Sequence, residues 1–389
     1  MTRLPAAAPR LADIAPFHVV ELLTRAKALE AEGRDVIHME VGEPDFPTPP
    51  AIVDAAARYL QSGKVHYTPS LGIPELREAI ARFYQARYGI DVPASRIVVT
   101  AGASGALMLA LACLVRPGSR WLLTDPGYPC NRHFVRTFEG LPVGLPVGPE
   151  TAFQPTAAMV NAAWQEGTEG ALFASPANPT GTLIPHDELA AIADTVRNHG
   201  GHLIVDEIYH GLTYGSDVPS ALSLGDDLFI VQSFSKYFQM TGWRLGWLVV
   251  PDRFVRDVEK LAQNLFISPS APAQYGALAA FAPDTIALLE ARRAAFQARR
   301  NALLPALKAL GFRIPCVPEG AFYIYADASA LTPDSFAFAR NLLEATGVAI
   351  TPGIDFGEHH PERYVRFAYT TDEARLTEAV ERIARYLQR

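Results

Sequence analysis

Short, nearly continuous apolar runs punctuate the middle of the chain, with helix-patterned stretches between several of them. Six stand out: "RIVVT" (96–100), "WLLTD" (121–125), "ALFAS" (171–175), "HLIVDE" (202–207), "LFIVQS" (228–233) and "LGWLVV" (245–250). None alternates apolar with polar residues, so they suit strands buried on both faces of a largely parallel sheet. The intervening patterns include "SGALMLALACLV" and "HDELAAIADTVRNHG", the second ending in a glycine at a C-cap position. Strands alternating with helices predict a layered α/β domain. The link between the last two runs is too short for a helical crossover, which predicts that this pair is antiparallel.

Downstream, "PAQYGALAAFAPDTIALLEARRAAFQARRNALLPALKALG" reads as one long helical stretch. Beyond it, "AFYIYAD" and "RYVRFAYT" read as strands of a smaller α+β lobe, to which the first 45 residues return. The chain therefore divides into a large domain over 46–289 and a discontinuous small one over 1–45 and 290–389, with the N-terminal arm included. At 389 residues, two lobes are the expected organisation.

Composition narrows the class. Of the residues, 49% are apolar and 19% charged, which is ample material for a core. A net charge of −7 without a lysine- and arginine-dense block argues against a nucleic-acid partner. Cys113, Cys130 and Cys316 are scattered without metal-ligand spacing and read as reduced thiols. The apolar run "GALMLALACLV" is too short to span a bilayer, and the proline-containing N-terminus does not fit a signal peptide. These features predict a cytoplasmic enzyme with no membrane partner and no metal.

In open α/β sheets, ligands bind beyond the carboxyl ends of the strands. After "RIVVT" come Ala101-Gly102-Ala103-Ser104-Gly105, small residues opening a helix whose free N–H groups suit a phosphate. After "WLLTD", Tyr128 offers a ring; after "ALFAS", Asn178 is held between prolines. "HLIVDE" delivers Asp206, costly to ionise unless it meets a cation, with Tyr209 one turn on. "LFIVQS" delivers Ser233, then Ser235 and Lys236, with Arg244 further along. Each segment alone reads as well as a turn, a packed ring or a structural ion pair. Jointly they describe a ligand with a phosphate, a flat ring, a ring atom that gains from a carboxylate, and a carbonyl for lysine. Pyridoxal 5′-phosphate meets each requirement.

The chain resembles the pyridoxal-phosphate-dependent aminotransferases of class I/II, the aspartate aminotransferase-like family of fold type I. The resemblance runs through "GEPDFPTPP", "HYTPSLGIPELREAI", "TAGASGAL", "PGYP", "SPANPTG", "VDEIY", "SFSKYFQMTGWRLGW" and "YVRFAY", in that order. It implies a three-layer domain around a mostly parallel seven-stranded sheet, plus a smaller α+β domain. It also implies an internal aldimine on Lys236, Asp206 at the pyridine nitrogen, and Asn178 and Tyr209 at the ring oxygen. Tyr128 would stack on the ring. Ala103, Ser104, Ser233, Ser235 and Arg244 would hold the phosphate. Arg366 would grip the substrate carboxylate in a bidentate fork, beside Gly42 and Asn178. Tyr67 would reach the phosphate of a neighbouring subunit, which implies a homodimer.

The expected reaction moves an amino group from an L-amino acid to a 2-oxo acid, with 2-oxoglutarate as acceptor. A free lysine, with a pKa of about 10.4, is mostly protonated at neutral pH. Desolvation and a nearby cation would lower that value and supply the neutral amine, which can then shuttle the Cα proton. Some bacterial aspartate aminotransferases of this subgroup carry a lysine where this chain has Ser104, so a neutral or aromatic donor is expected here. A carbon–sulfur β-lyase would share the same cofactor site and remains the alternative.

Overall fold

The computed structural model describes residues 7–215 and 218–388. Its strands are β1 (Ile37–His38), β2 (Ile97–Thr100), β3 (Arg120–Asp125), β4 (Leu141–Pro146), β5 (Thr168–Ala174), β6 (His202–Asp206), β7 (Phe229–Ser233), β8 (Gly246–Val249), β9 (Tyr323–Asp327), β10 (Val348–Ala349), β11 (Thr351–Pro352) and β12 (Tyr364–Ala368). A seven-stranded sheet runs in the order β2-β8-β7-β6-β5-β3-β4. Its pairs are parallel except that β8 lies antiparallel to both β2 and β7. The short β7–β8 link thus behaves as its length requires.

The central strands are apolar throughout because both faces are covered. Every residue of β2, β7 and β8 is buried. One apolar cluster packs Val98, Leu172, Ile204 and Phe229 against helix Gly102–Leu114, and the other takes Val99, Phe173, Val205 and Ile230 from the opposite face. Each fully buried side chain of this size contributes roughly 1.5–3 kcal/mol. Helix His186–Asn198 ends as its sequence predicts, with Gly200 at φ +71° and its N–H on Arg197 O.

Two local expectations change. The seventh strand, β4, has the sequence "LPVGLP" and gives no apolar-run signal; it forms because it lies at the sheet edge beyond β3, where a proline costs no ladder bond on the open side. The long downstream pattern is also not one helix. It divides into Ala271–Ala277, a 3₁₀ turn at Leu278–Phe281, and Pro283–Ala309. The break falls at Ala282, whose extended backbone (ψ 141°) is what a following proline imposes.

The smaller α+β part holds the antiparallel sheet β11-β12-β9. The N-terminal segment joins it, since β1 pairs in parallel with β10, Ile37 opposite Val348. Helix His18–Ala31 is fastened at its start by Asp355, whose two carboxylate oxygens accept from the N–H groups of His18 and Val19 at 2.7 Å each. No helix of the described residues is long and apolar enough to cross a membrane.

Candidate active site

The carboxyl ends of β2, β3, β5, β6 and β7 converge on a cavity of about 520 Å³. Its lining brings together Gly42, Ala103, Ser104, Tyr128, Asn178, Asp206, Tyr209, Ser233, Ser235, Lys236, Arg244 and Arg366, residues scattered over more than 300 positions of sequence. Tyr67 is not among them; it stands 82% exposed on the surface of the single protomer.

One corner is built for an anion. Helix Gly102–Leu114 opens there with unsatisfied N–H groups, and Ser233, Ser235 and Arg244 lie on the same wall. Gly102 has φ +73°, and a Cβ on it would sit 2.7 Å from Arg244 Nη2. Arg244 itself is held at φ +52°, a conformation costly for a side chain of that size, and its Nη1 donates to Thr241 O at 2.9 Å. Backbone strain and a glycine are thus both committed to placing one guanidinium against a helix start.

Opposite, Lys236 Nζ donates to Gly42 O at 2.6 Å. Burial lowers its pKa to about 8; Arg366 and Arg244 act in the same direction, while Glu43 and Asp206 oppose. The neutral amine is therefore accessible near neutral pH, with burial as the larger cause and the flanking cations secondary. Asp206 sits at the end of β6, where burial raises its carboxyl to about 7. Its Oδ1 accepts from Ile208 N at 3.0 Å, and it forms no ion pair among the described residues. A cationic ring N–H placed there would relieve that penalty.

Arg366, on β12, is buried and surrounded by neutral acceptors. Nη1 donates to Asn178 Oδ1 at 2.8 Å, and Nη2 to Glu40 O at 2.6 Å and Thr351 Oγ1 at 3.2 Å. Its Nε has no partner. A buried guanidinium with no carboxylate beside it suits one supplied from outside. With Asn178 Oδ1 engaged, the donor end of that amide is the part left for a ligand.

Sequence reasoning missed Tyr323, which appears in "AFYIYAD" as an ordinary strand residue. It is buried, lines the cavity, meets the Tyr209 hydroxyl at 2.8 Å and lies under Arg366. It also missed the apolar wall from the N-terminal helix, where Val19, Val20 and Leu23 face the cavity with Phe17 beside them. No local pattern announces either, because each depends on how distant segments meet.

Residues 34–383 match the family model described as aminotransferase class I and II. The chain belongs to the class I and II aminotransferases. This aminotransferase is 40% identical over 97% of both chains to the valine–pyruvate aminotransferase of Mycobacterium tuberculosis. It is 35% identical over 98% of both chains to an aspartate/prephenate aminotransferase of Thermus thermophilus. Among solved structures, an aminotransferase from Mycobacterium tuberculosis superposes with a TM-score of 0.95 at 41% identity, covering 99% of this chain and all of that one. The aspartate aminotransferase of Thermus thermophilus with maleate superposes with a TM-score of 0.92 at 34% identity, over 98% of this chain and all of that one. The fold is therefore that of the fold-type I transferases, and the enzyme is an aminotransferase.

Proposed function

We propose that the enzyme binds pyridoxal 5′-phosphate in this cavity and transfers an amino group from an L-amino acid with an apolar side chain to a 2-oxo acid bearing a single carboxylate. The observation that carries the donor class is the wall formed by Phe17, Val19, Val20, Leu23, Leu107 and Phe356. The basic side chains in the lining of this protomer are Lys236, Arg244 and Arg366, and each is spoken for. Within the protomer none is left for a second substrate carboxylate. The same argument favours a monocarboxylic acceptor over the 2-oxoglutarate expected from the sequence.

The residues present suit the cofactor. The strained Arg244, the glycine-opened helix and the two serines match a phosphate; the unpaired, buried Asp206 matches a ring nitrogen; the amine of depressed pKa matches a carbonyl. When bound, pyridoxal phosphate supplies that carbonyl and a ring that draws electrons from the substrate Cα. The chain does the rest. Ala103, Ser104, Ser233, Ser235 and Arg244 anchor the phosphate, and Tyr128 covers the ring face. Asp206 keeps a proton on the ring nitrogen, while Asn178 and Tyr209 hold the ring oxygen. Arg366 would grip the substrate carboxylate, and Lys236 Nζ would take the Cα proton and return it to the cofactor's carbonyl-derived carbon, on the far side of the nitrogen being transferred.

The proposal extends to the division into units 46–289 and 1–45 with 290–389, supported by the β1–β10 pairing. It includes a homodimer in which Tyr67 serves the partner's site. It also includes a cytoplasmic location, with which the three free thiols agree. The test is a donor panel of valine, leucine, alanine, phenylalanine and aspartate with pyruvate or 2-oxoglutarate. We expect kcat/KM for the best apolar donor to exceed that for aspartate by at least ~10-fold, the scale set by one uncompensated buried charge. An aspartate preference overturns the donor class. Incubation with amino acid alone should yield pyridoxamine phosphate; pyruvate plus ammonia would instead mark a lyase.

A further inference from the structure

Tyr323 lies where three functional groups meet. Its hydroxyl is 2.8 Å from that of Tyr209. Its ring centroid is 4.3 Å from the guanidinium carbon of Arg366. An ideal Cβ on Gly42 would fall 2.0 Å from its hydroxyl oxygen, so the space Gly42 leaves vacant is the space this hydroxyl fills. Gly42 in turn accepts from Lys236. We propose that Tyr323 is a positioning residue whose hydroxyl aims the Tyr209 proton at the cofactor and whose ring braces Arg366 for the substrate carboxylate.

The hydroxyl argument is one of hydrogen counting. Two phenols 2.8 Å apart share one hydrogen between them, and each has one to give. If Tyr323 donates, the Tyr209 proton is left to point elsewhere, and Tyr209's oxygen, already accepting, becomes a stronger donor. Burial raises the pKa of both phenols, so both keep their protons across the working range. The ring argument is separate. Arg366 makes no carboxylate contact, so its charge is stabilised by neutral acceptors and by the faces of Tyr323 and Phe356, the latter at 4.9 Å. The two roles reside in different atoms of one side chain and can be separated by substitution.

This inference rests on the cofactor reading above, so the experiment tests the two independently. Wild-type holoprotein is titrated by its visible absorbance between pH 5 and pH 10, beside Tyr323→Phe and Tyr323→Leu. A donor to the ring oxygen favours the proton-poor form of the bound cofactor; losing its reinforcement should move the midpoint up by about half to one pH unit in Tyr323→Phe. KM for both substrates should stay within about twofold in that variant, because the ring under Arg366 remains. Tyr323→Leu should show the same spectral shift and a KM increase of about 3- to 30-fold, as expected for loss of a desolvated cation–π contact. An unchanged midpoint in Tyr323→Phe overturns the hydroxyl role. Unchanged KM in Tyr323→Leu overturns the ring role. A Phe variant that fails to fold makes the hydroxyl structural and counts equally against the proposal. A wild type with no bound, pH-dependent chromophore refutes the cofactor reading instead.

Discussion

Asp206 is a carboxyl placed where charge is unwelcome. Its folded-state pKa, about 7, lies above the value of about 3.9 expected in the unfolded chain. Between those values the folded protein holds a proton that the unfolded protein has lost, so raising the pH through this window destabilises the cofactor-free enzyme. Glu207, buried beside it and also raised to about 7, acts in the same direction. Cofactor-free wild type should therefore lose melting temperature from pH 5 to pH 8, and Asp206→Asn should lose less over the same span. Scanning calorimetry at the two pH values checks this; equal losses would mean that Asp206 is not strained by burial. Most of the cavity lining was readable in advance. Lys236, Asp206, Asn178, Tyr209 and Arg244 each follow a recognisable strand or motif, and a motif is a local object. Tyr323 was not legible, because its importance lies in facing Gly42, Tyr209 and Arg366, none of them near it in sequence.

Among elements, the N-terminal helix His18–Ala31 is the one on which the proposed donor class depends most. It carries Val19, Val20 and Leu23 to the cavity, and its free first turn is satisfied by the Asp355 carboxylate rather than by a residue of its own. Burial raises the Asp355 pKa, while those two N–H groups work to lower it. Asp355→Ala should cost about 1 kcal/mol of stability, a typical capping loss, and should raise KM for apolar donors several-fold with kcat little changed. Urea unfolding together with steady-state kinetics with valine or leucine checks both; unaltered KM would show that the helix holds its place without the cap. The strands themselves were legible because burial on both faces writes an apolar run. β4 escaped notice because an edge strand is free to carry Pro142, Gly144 and Pro146. The break at Pro283 was readable from the proline alone, yet the apolar period on either side masked it.

On the scale of the whole molecule, the proposed assembly separates residues that a single protomer keeps in one chain. If Tyr67 serves the partner's phosphate, Lys236→Ala and Tyr67→Asp refolded together should regain activity that neither shows alone. Random pairing makes half the dimers mixed, each with one intact site, so about a quarter of wild-type activity should return. No recovery in demonstrated mixed dimers would place Tyr67 outside the site. The architecture also imposes an order in time. Ile37 waits for Val348, and the carbonyl of Glu40 waits for Arg366, 326 positions later. At about 5–20 residues per second on the ribosome, the emerging N-terminal segment passes roughly 15 to 60 s without the strand it will pair with. Before that interval ends the seven-stranded sheet can already assemble around helix Gly102–Leu114, while Arg366 is added only near the end of synthesis. A nascent chain stalled before residue 348 would thus carry Lys236, Arg244 and the helix start at Gly102 but lack Arg366, the residue proposed to grip the substrate.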